Sequence, residues 1–370
     1  MTESGTYRDC VAMCGMAREK EDDMTTGAGA PNVQQEVQQQ AGKLLGHIAG
    51  YVGLKTIQIG LANGLFATLA QNPGGLTPSE LASKAGVDEF YAGVWARGAF
   101  AAELLNVDAE GRYTMVPHLD KLILNEDFPA YLGGIPIVFN HPEIFENFSA
   151  NLKSGKRIWW NDASPGFIQA VSGTGRPFYN RLIPGGLDKV EGLTAKLQAG
   201  ANVLELATGA GRGLVKLAEA YPNVKITGVD GDTHSVGLAN ERIKAAGHAG
   251  RVKMVTSPLE DFTADSEFDL VVINISMHEC RDIDKVTTNV KKALKPGGCF
   301  VISDFPFPDT PEGMRSLPGR VLSGIQYFEA QIDAQLMPTS AFVNLLSKHG
   351  FKDVKGMDIT PVHNLICGTK

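Results

Sequence analysis

Short apolar runs alternate with helix-like segments through the second half of the chain. The runs predict strands at 202–206, 225–229, 251–256, 268–273, 299–303, 352–357 and 364–368. Segments with apolar residues at every third or fourth position predict helices at 213–220, 235–246, 284–294 and 340–348. Strands that alternate with helices in this way predict a doubly wound α/β sheet with its ligand site at the carboxyl ends of the strands.

The first half of the chain has mainly helical patterns. From residue 35 to residue 71, apolar side chains recur at the spacing of an amphipathic helix, which Gly60 and Gly64 interrupt near its end. The residues with this spacing are Leu44, Leu45, Ile48, Val52, Thr56, Ile59 and Leu65. The pattern predicts a long helix with one apolar face.

Two shorter helices and a hairpin are predicted next. Thr77, Pro78 and Glu80 form a helix start signal, because threonine caps the end, proline suits the first position and the glutamate completes a capping box. A second helix is predicted at 91–105, and a hairpin at 107–115. This order of elements predicts a winged helix.

A winged helix can read DNA or serve in packing and dimerisation. DNA binding needs a basic recognition helix, whereas this segment carries Glu89, Phe90, Tyr91, Trp95 and Glu103. The net charge of the whole chain is −7. We therefore expect a packing or dimerisation module, a homodimer, and no nucleic-acid partner.

The patterns divide the chain into four predicted segments. These are a disordered lead at 1–34, the winged-helix domain at 35–125, a helical linker at 126–199 and the α/β domain at 200–370. The lead lacks hydrophobic periodicity. The linker contains many aromatic residues, including Trp159 and Trp160, which either pack in a core or line an apolar substrate pocket.

Composition narrows the class of protein. There is no apolar run of the roughly 18 residues that a membrane span needs, and the N-terminus has no apolar core of a secretory signal. The five cysteines are odd in number and scattered, which is typical of free thiols in a reducing compartment. No ligand spacing indicates a metal site. We expect a cytosolic protein with no membrane partner and no metal.

A glycine-rich turn follows the first strand of the α/β domain. Its glycines, Gly209, Gly211 and Gly213, follow Glu205, and Asp230 ends the next strand. Dinucleotide folds carry G-x-G-x-x-G against a pyrophosphate, which an acid at Glu205 would repel. S-adenosylmethionine carries an ammonium and a sulfonium, so the charge favours this ligand over NAD.

Two further motifs strengthen that interpretation. F-D-L-V-V occurs at 268–272 and L-K-P-G-G at 294–298. With the glycine turn and Asp230, they make residues 200–370 similar to class I S-adenosylmethionine-dependent methyltransferases. The stretches at 76–87 and 111–115 resemble small-molecule methyltransferases with an N-terminal winged helix. The resemblance implies a Rossmann-like, seven-stranded sheet with its last strand antiparallel.

The resemblance also implies roles for individual residues. Expected cofactor contacts are Glu205, Gly209 and Gly211 at the methionine end, Asp230 and Gly231 at the ribose, Leu259 and Glu260 at the adenine, and Asn274 and Ile275 beside the methionine. Two positions depart from the family pattern. Ala207 stands where the family usually has a glycine, still in contact with the cofactor, and Pro258 stands where an acid often faces the adenine.

His278 is the candidate catalytic residue, because the resemblance places it beside the sulfonium. A neutral imidazole could take the proton of an acceptor hydroxyl as general base, or the ring could only pack near the cofactor. Tyr327 and Met337 lie before the last helix, where relatives close over the substrate, so they are expected either to line the pocket or to pack elsewhere.

The sequence therefore predicts methyl transfer from S-adenosylmethionine to a small organic molecule, at a hydroxyl oxygen. Three alternatives stay open: N-, C- or S-methylation on the same scaffold, a fold that keeps the cofactor for other chemistry, and a regulator without enzymatic activity.

Overall fold

A computed structural model describes residues 32–370 of the chain. The disordered lead is predicted at 1–34. Residues 1–31 of it lie outside the described residues, and Val33 and Gln34 belong to the first helix. The described residues divide between Tyr51 and Val52 into two compact units. The first contains only the N-terminal part of that helix, and the second contains the rest of the fold. This division lies inside helix Val33–Ala62.

Helices dominate up to the start of the sheet. They are α1 (Val33–Ala62), α2 (Leu65–Ala70), α3 (Pro78–Ala85), α4 (Glu89–Ala101), α5 (Leu119–Ile123), α6 (Gly134–Val138), α7 (Glu146–Asn151), α8 (Pro165–Thr174), α9 (Arg176–Arg181) and α10 (Leu193–Ala199). The predicted hairpin is present as β1 (Leu105–Val107) and β2 (Tyr113–Met115), which pair antiparallel. The predicted capping box also forms, since Thr77 and Glu80 exchange hydrogen bonds at the start of α3.

The α/β part begins at residue 202. Its strands are β3 (Asn202–Leu206), β4 (Lys225–Asp230), β5 (Val252–Thr256), β6 (Phe268–Asn274), β7 (Leu294–Asp304), β8 (Lys352–Thr360) and β9 (His363–Thr369). Its helices are α11 (Arg212–Ala220), α12 (Thr233–Ala245), α13 (Ile283–Ala293), α14 (Pro311–Arg315), α15 (Leu317–Glu329) and α16 (Thr339–Lys348). All seven predicted strands are found, with ends displaced by a few residues.

The seven strands form one sheet in the order β5-β4-β3-β6-β7-β9-β8. The first five strands pair in parallel, while β9 runs antiparallel between β7 and β8. The predicted sheet with an antiparallel last strand is confirmed. Strand order reverses between β3 and β6, and such a switch point opens a crevice at the carboxyl ends of the strands.

Alternating residues of the strands form two cores, one on each face of the sheet. Val203 packs in one core, which α11 closes with Leu214, whereas Leu204 packs in the other, which α13 closes with Val290. All four side chains are almost fully buried. Burial on both faces fixes the register of the strands and so the positions of the loops that follow them.

Within residues 32–370, none of the helices is long and apolar enough to cross a membrane.

Candidate active site

A cavity of about 350 Å³ opens at the carboxyl ends of β3, β4 and β6. Its walls include Ala207, Gly209, Asp230, Gly231, Leu259, Glu260, Asn274 and Ile275 from the sheet side and Trp159, Trp160, Ile168, Val171 and Tyr179 from the linker. The eight sheet-side residues named here and the two tryptophans are all predicted from the sequence. Glu205, Gly211, His278, Tyr327 and Met337 are not among the lining residues.

Glu205 lies one layer behind the cavity wall. One of its carboxylate oxygens accepts a hydrogen bond of 2.8 Å from the hydroxyl of Tyr179, and the other is buried without a partner. Burial raises the pKa of Glu205 to about 8, the hydrogen bond from Tyr179 lowers it, and Asp230 adds a smaller rise. A side chain at Gly213 would collide with both Glu205 and Tyr179, so this contact requires a glycine at the start of α11.

Asp230 joins the end of β4 to the glycine turn. One oxygen accepts the backbone N–H of Gly209 at 2.8 Å, and the other accepts that of Asp232 at 2.9 Å. Burial raises the pKa of Asp230, and these two hydrogen bonds oppose the rise. A carboxylate has lone pairs for about four hydrogen bonds, so Asp230 retains acceptor capacity toward the cavity that it lines.

Glu260 lines the cavity but also has a structural contact. Its carboxylate accepts the backbone N–H of Arg281 at 3.0 Å and that of Asp282 at 3.3 Å, ahead of helix α13. Asp261, by contrast, pairs with Lys285 at 3.3 Å and does not line the cavity.

A chain of hydrogen bonds holds Asn274 from behind. Arg181 Nε donates to His363 Nδ1 at 2.9 Å, so His363 Nε2 carries the hydrogen and donates to the Ser303 hydroxyl at 2.8 Å. Ser303 in turn donates to Asn274 Oδ1 at 2.6 Å. Burial, with Arg181, lowers the pKa of His363 to about 3, so the ring is neutral. These hydrogen bonds leave the buried amide nitrogen of Asn274 without a partner.

His278 belongs to a buried group that also contains Glu279, Asp304 and Glu329; we call these four residues the acid cluster. His278 Nδ1 lies 2.8 Å from Asp304 Oδ1, and its Nε2 lies 3.5 Å from Glu329 Oε2 and 4.0 Å from Glu279 Oε1. Glu279 alone of the four lines the cavity, and it accepts a hydrogen bond of 2.9 Å from the Trp160 indole.

The acid cluster alters the ionisation of its own members. Burial opposes a charge on His278, but Asp304 and Glu329 outweigh it and raise the pKa of the ring well above its usual value. Burial, reinforced by Glu329, raises the pKa of Glu279 to about 8. In this arrangement the imidazole carries a proton, whereas the general base predicted from the sequence needs a neutral ring.

The other two candidates for the substrate pocket lie elsewhere. Tyr327 packs edge-on against Phe145 and Phe148, with ring centroids 5.4 and 4.8 Å apart. Met337 packs against the core beneath α16. Neither residue is part of the cavity wall.

The α/β part of the chain is similar in sequence to known methyltransferases. Residues 197–344 match the family model described as a methyltransferase domain. The ubiquinone/menaquinone biosynthesis C-methyltransferase UbiE of Geobacter sp. (strain M21) is 29% identical over 225 residues, covering 55% of this chain and 96% of that protein. The chain is a class I S-adenosylmethionine-dependent methyltransferase. The cofactor of this methyltransferase is S-adenosylmethionine.

Solved structures resemble the methyltransferase over nearly its whole length. A putative O-methyltransferase from Nostoc punctiforme superposes with a TM-score of 0.69 at 18% identity, covering 89% of this chain and 98% of that one. Human N-acetylserotonin methyltransferase, solved with S-adenosylmethionine, gives 0.63 at 16% identity, with coverages of 93% and 99%. At these identities the likeness establishes the fold, including the helical N-terminal region.

Two residues of the methyltransferase that line the cavity have strained backbones. Ala207 has φ of 52° and Ile275 has φ of 50°, a left-handed conformation that residues with a Cβ rarely adopt. Each follows the end of a strand, β3 or β6, where the chain turns around the cavity. Strain of this kind concentrates at functional sites.

We expect Ala207→Gly to raise the melting temperature by about 2–3 °C, because glycine removes roughly 1 kcal/mol of left-handed strain. Differential scanning calorimetry measures the change. Ala210→Gly is the matched control, since Ala210 lies in the same turn without a positive φ and should lose stability. A melting temperature for Ala207→Gly no higher than that of Ala210→Gly would contradict the strain.

Proposed function

We propose that this methyltransferase transfers the methyl group of S-adenosylmethionine to a hydroxyl oxygen of a small, largely apolar acceptor. One observation carries the proposal: a single cavity joins the strand-end residues expected to hold the cofactor to a wall made by Trp159, Trp160, Ile168 and Val171. Donor and acceptor held in one cavity react at greatly increased effective concentration.

The residues at the sheet edge fit the cofactor. The free oxygen of Glu205 and the Tyr179 hydroxyl suit the ammonium end, the free amide nitrogen of Asn274 suits the carboxylate, and Asp230 suits the ribose hydroxyls. Buried polar atoms without partners are rare in folded proteins, and the two beside this cavity are available to hold a ligand. When bound, the cofactor supplies an electrophilic methyl group. Leu259 and Glu260 remain the proposed contacts of the adenine.

The acceptor side combines aromatic surface with charge. Arg281 stacks over Trp159 at 3.8 Å from the ring centroid, and Trp160 packs against Phe167 and Phe328. Glu279 reaches this wall through its hydrogen bond from Trp160. We assign proton removal from the acceptor to the ionised form of Glu279, with the protonated ring of His278 4.0 Å away, because Glu279 alone of the acid cluster lines the cavity.

Calorimetry with S-adenosylmethionine and its demethylated product tests the cofactor assignment. We expect one binding site per chain for each ligand. A screen of metabolite extracts with a labelled methyl donor then identifies the acceptor, and alkaline stability of the labelled product distinguishes an ether from an ester. The absence of heat with both ligands would overturn the proposal.

Methylation at carbon is the second candidate. It is favoured by the UbiE relative, which is named a C-methyltransferase and matches this chain over 96% of its own length. The same labelled product separates the two, because a C-methyl group resists the reagents that cleave methyl ethers and esters.

We also infer that the helices and hairpin of residues 35–125 form a winged helix used for homodimerisation, ahead of a linker at 126–199 and the catalytic domain at 200–370. The apolar residues Leu44, Leu45 and Ile48 of α1 are each at least 60% exposed. Three large aliphatic side chains at helical spacing are typical of a contact surface between chains.

Leu44→Glu combined with Ile48→Glu is expected to convert the dimer into a monomer, because each leucine or isoleucine loses about 1.5–3 kcal/mol of burial. Analytical ultracentrifugation at micromolar concentration measures the state. Leu317→Glu is the matched control, since Leu317 is 75% exposed on α15. A monomeric unmodified protein, or a dimeric double variant, would refute the inference.

A further inference from the structure

The acid cluster presents ligand atoms that its own hydrogen bonds leave unused. His278 Nε2 and Glu329 Oε2 are buried without hydrogen-bond partners. The side chain of His278 has no exposure, and that of Glu329 is 6% exposed. One oxygen of Glu279 is held by Trp160, and the other faces His278. One imidazole nitrogen and two carboxylate oxygens thus converge on the same space.

The charges in this space are unbalanced. Three carboxylates, from Glu279, Asp304 and Glu329, surround one imidazole. A charge on the ring balances only one of them, and an unpaired buried carboxylate is costly. A divalent cation that takes the place of the ring proton would leave the imidazole neutral and balance two of the three carboxylates.

The spacing suits ligation of one ion. The three candidate ligand atoms all lie within 4.8 Å of one another. Ligands at roughly 2.0–2.2 Å from a metal lie roughly 3.0–3.5 Å apart in tetrahedral or octahedral sites. The distances from His278 Nε2, 3.5 Å to Glu329 and 4.0 Å to Glu279, reach this range after small rotations of the carboxylates.

Asp304 supplies the outer contact that metal-binding histidines usually have. Its carboxylate holds His278 Nδ1 at 2.8 Å and so directs Nε2 toward the two glutamates, where a metal ion would displace the Nε2 proton and take its lone pair. An imidazole among carboxylates selects first-row transition metals over magnesium or calcium.

We propose that His278, Glu279 and Glu329 bind one divalent first-row transition-metal ion, with Asp304 orienting the imidazole.

The proposed ion would have a use in catalysis, and this part rests on the proposed function. Glu279 lines the cavity, so three protein ligands would leave the open side of the ion facing the acceptor wall. An ion there would hold the acceptor oxygen and stabilise its negative charge as the proton leaves. The acceptors that benefit are those with a hydroxyl or enol oxygen beside a second oxygen, which can chelate the ion.

The test uses the full chain after dialysis against a chelator. Addition of Mn²⁺ is followed by electron paramagnetic resonance and calorimetry, and we expect one ion per chain, displaced by Zn²⁺. Glu329→Gln and Glu279→Gln should each weaken Mn²⁺ binding at least tenfold. Glu143→Gln is the matched control and should bind Mn²⁺ normally, since Glu143 is a buried glutamate that lies 3.7 Å from a different histidine, His141.

Two outcomes would overturn the proposal. The unmodified chain could fail to bind Mn²⁺ and Zn²⁺, or both glutamine variants could bind Mn²⁺ as tightly as the unmodified chain does. Thermal melting checks that each variant is folded, and either variant alone suffices for the comparison. Calorimetry of the chelated protein with S-adenosylmethionine separates the two proposals. Cofactor binding and methyl transfer without metal binding would reject the ion alone, whereas metal binding without cofactor binding would reject the proposed function.

Discussion

Replacing His278 with alanine is expected to lower turnover about a hundredfold or more, because acid–base assistance at a reacting oxygen contributes at least that factor in most enzymes. The ring is fully buried between Asp304 and Glu329. Its removal deletes the group that connects these carboxylates to Glu279 at the cavity wall. Steady-state assays with the identified acceptor measure the change in kcat.

The cofactor contacts do not include His278, so the affinity for S-adenosylmethionine should stay within threefold in the alanine variant. His141→Ala serves as the matched control, since His141 packs against Phe167 at 5.7 Å between ring centroids and does not line the cavity. Turnover within threefold of the unmodified enzyme, with unchanged cofactor binding, would remove His278 from the catalytic group.

Glu205→Gln should weaken the binding of S-adenosylmethionine by about 10- to 100-fold. A charge-assisted hydrogen bond to a buried carboxylate contributes roughly 1.5–3 kcal/mol, and glutamine keeps the shape of the side chain without its charge. Glu241→Gln, an exposed acid of α12, is the control for the loss of one negative charge. Equal affinity in the two variants would show that Glu205 does not bind the ammonium.

The same interaction predicts a pH dependence. Glu205 has a pKa of about 8, so in the free protein it holds a proton at neutral pH and must release it to pair with an ammonium. Affinity should therefore rise with pH between about 5.5 and 7, by up to about tenfold per unit, while the amino group of the ligand stays charged. Calorimetry in buffers of different ionisation enthalpy counts the released proton. Glu205→Gln should lose the dependence.

The sheet could be predicted because the pattern of apolar residues along a strand reflects which of its faces are buried. Strands such as β3 and β6 are buried on both faces, so most of their residues are apolar. Asp230 and Asn274 are the last residues of β4 and β6, and both line the cavity at the carboxyl ends of the strands. Topology alone brings them together.

The contacts that the sequence did not predict depend on distant segments. Tyr179 covers Glu205 across a separation of 26 positions, and Glu329 reaches His278 from the end of α15. Sequence spacing contains no signal for either contact. The one early signal was the pair of a histidine and a glutamate after β6. Tyr327 packs outside the cavity wall, and the sequence does not indicate this because its aromatic partners, Phe145 and Phe148, lie far away in the sequence.

The backbone angle of Ala207 was the other unpredicted feature. A glycine at this position signals a left-handed turn, whereas alanine signals nothing. The structure shows that this turn is left-handed at Ala207, with φ of 52°, although the residue has a Cβ.

The position of β9 has a consequence for the order in which this enzyme becomes active during synthesis. β9 inserts between β7 and β8, and its His363 holds Ser303 and, through it, Asn274. A ribosome releases these groups in order of sequence, so Asn274 has left the exit tunnel long before the residue that orients it. A nascent chain that has already folded β3, β4 and β6 therefore still lacks the contact that orients Asn274. The cofactor site is completed only after β9 has been synthesised and has entered the sheet.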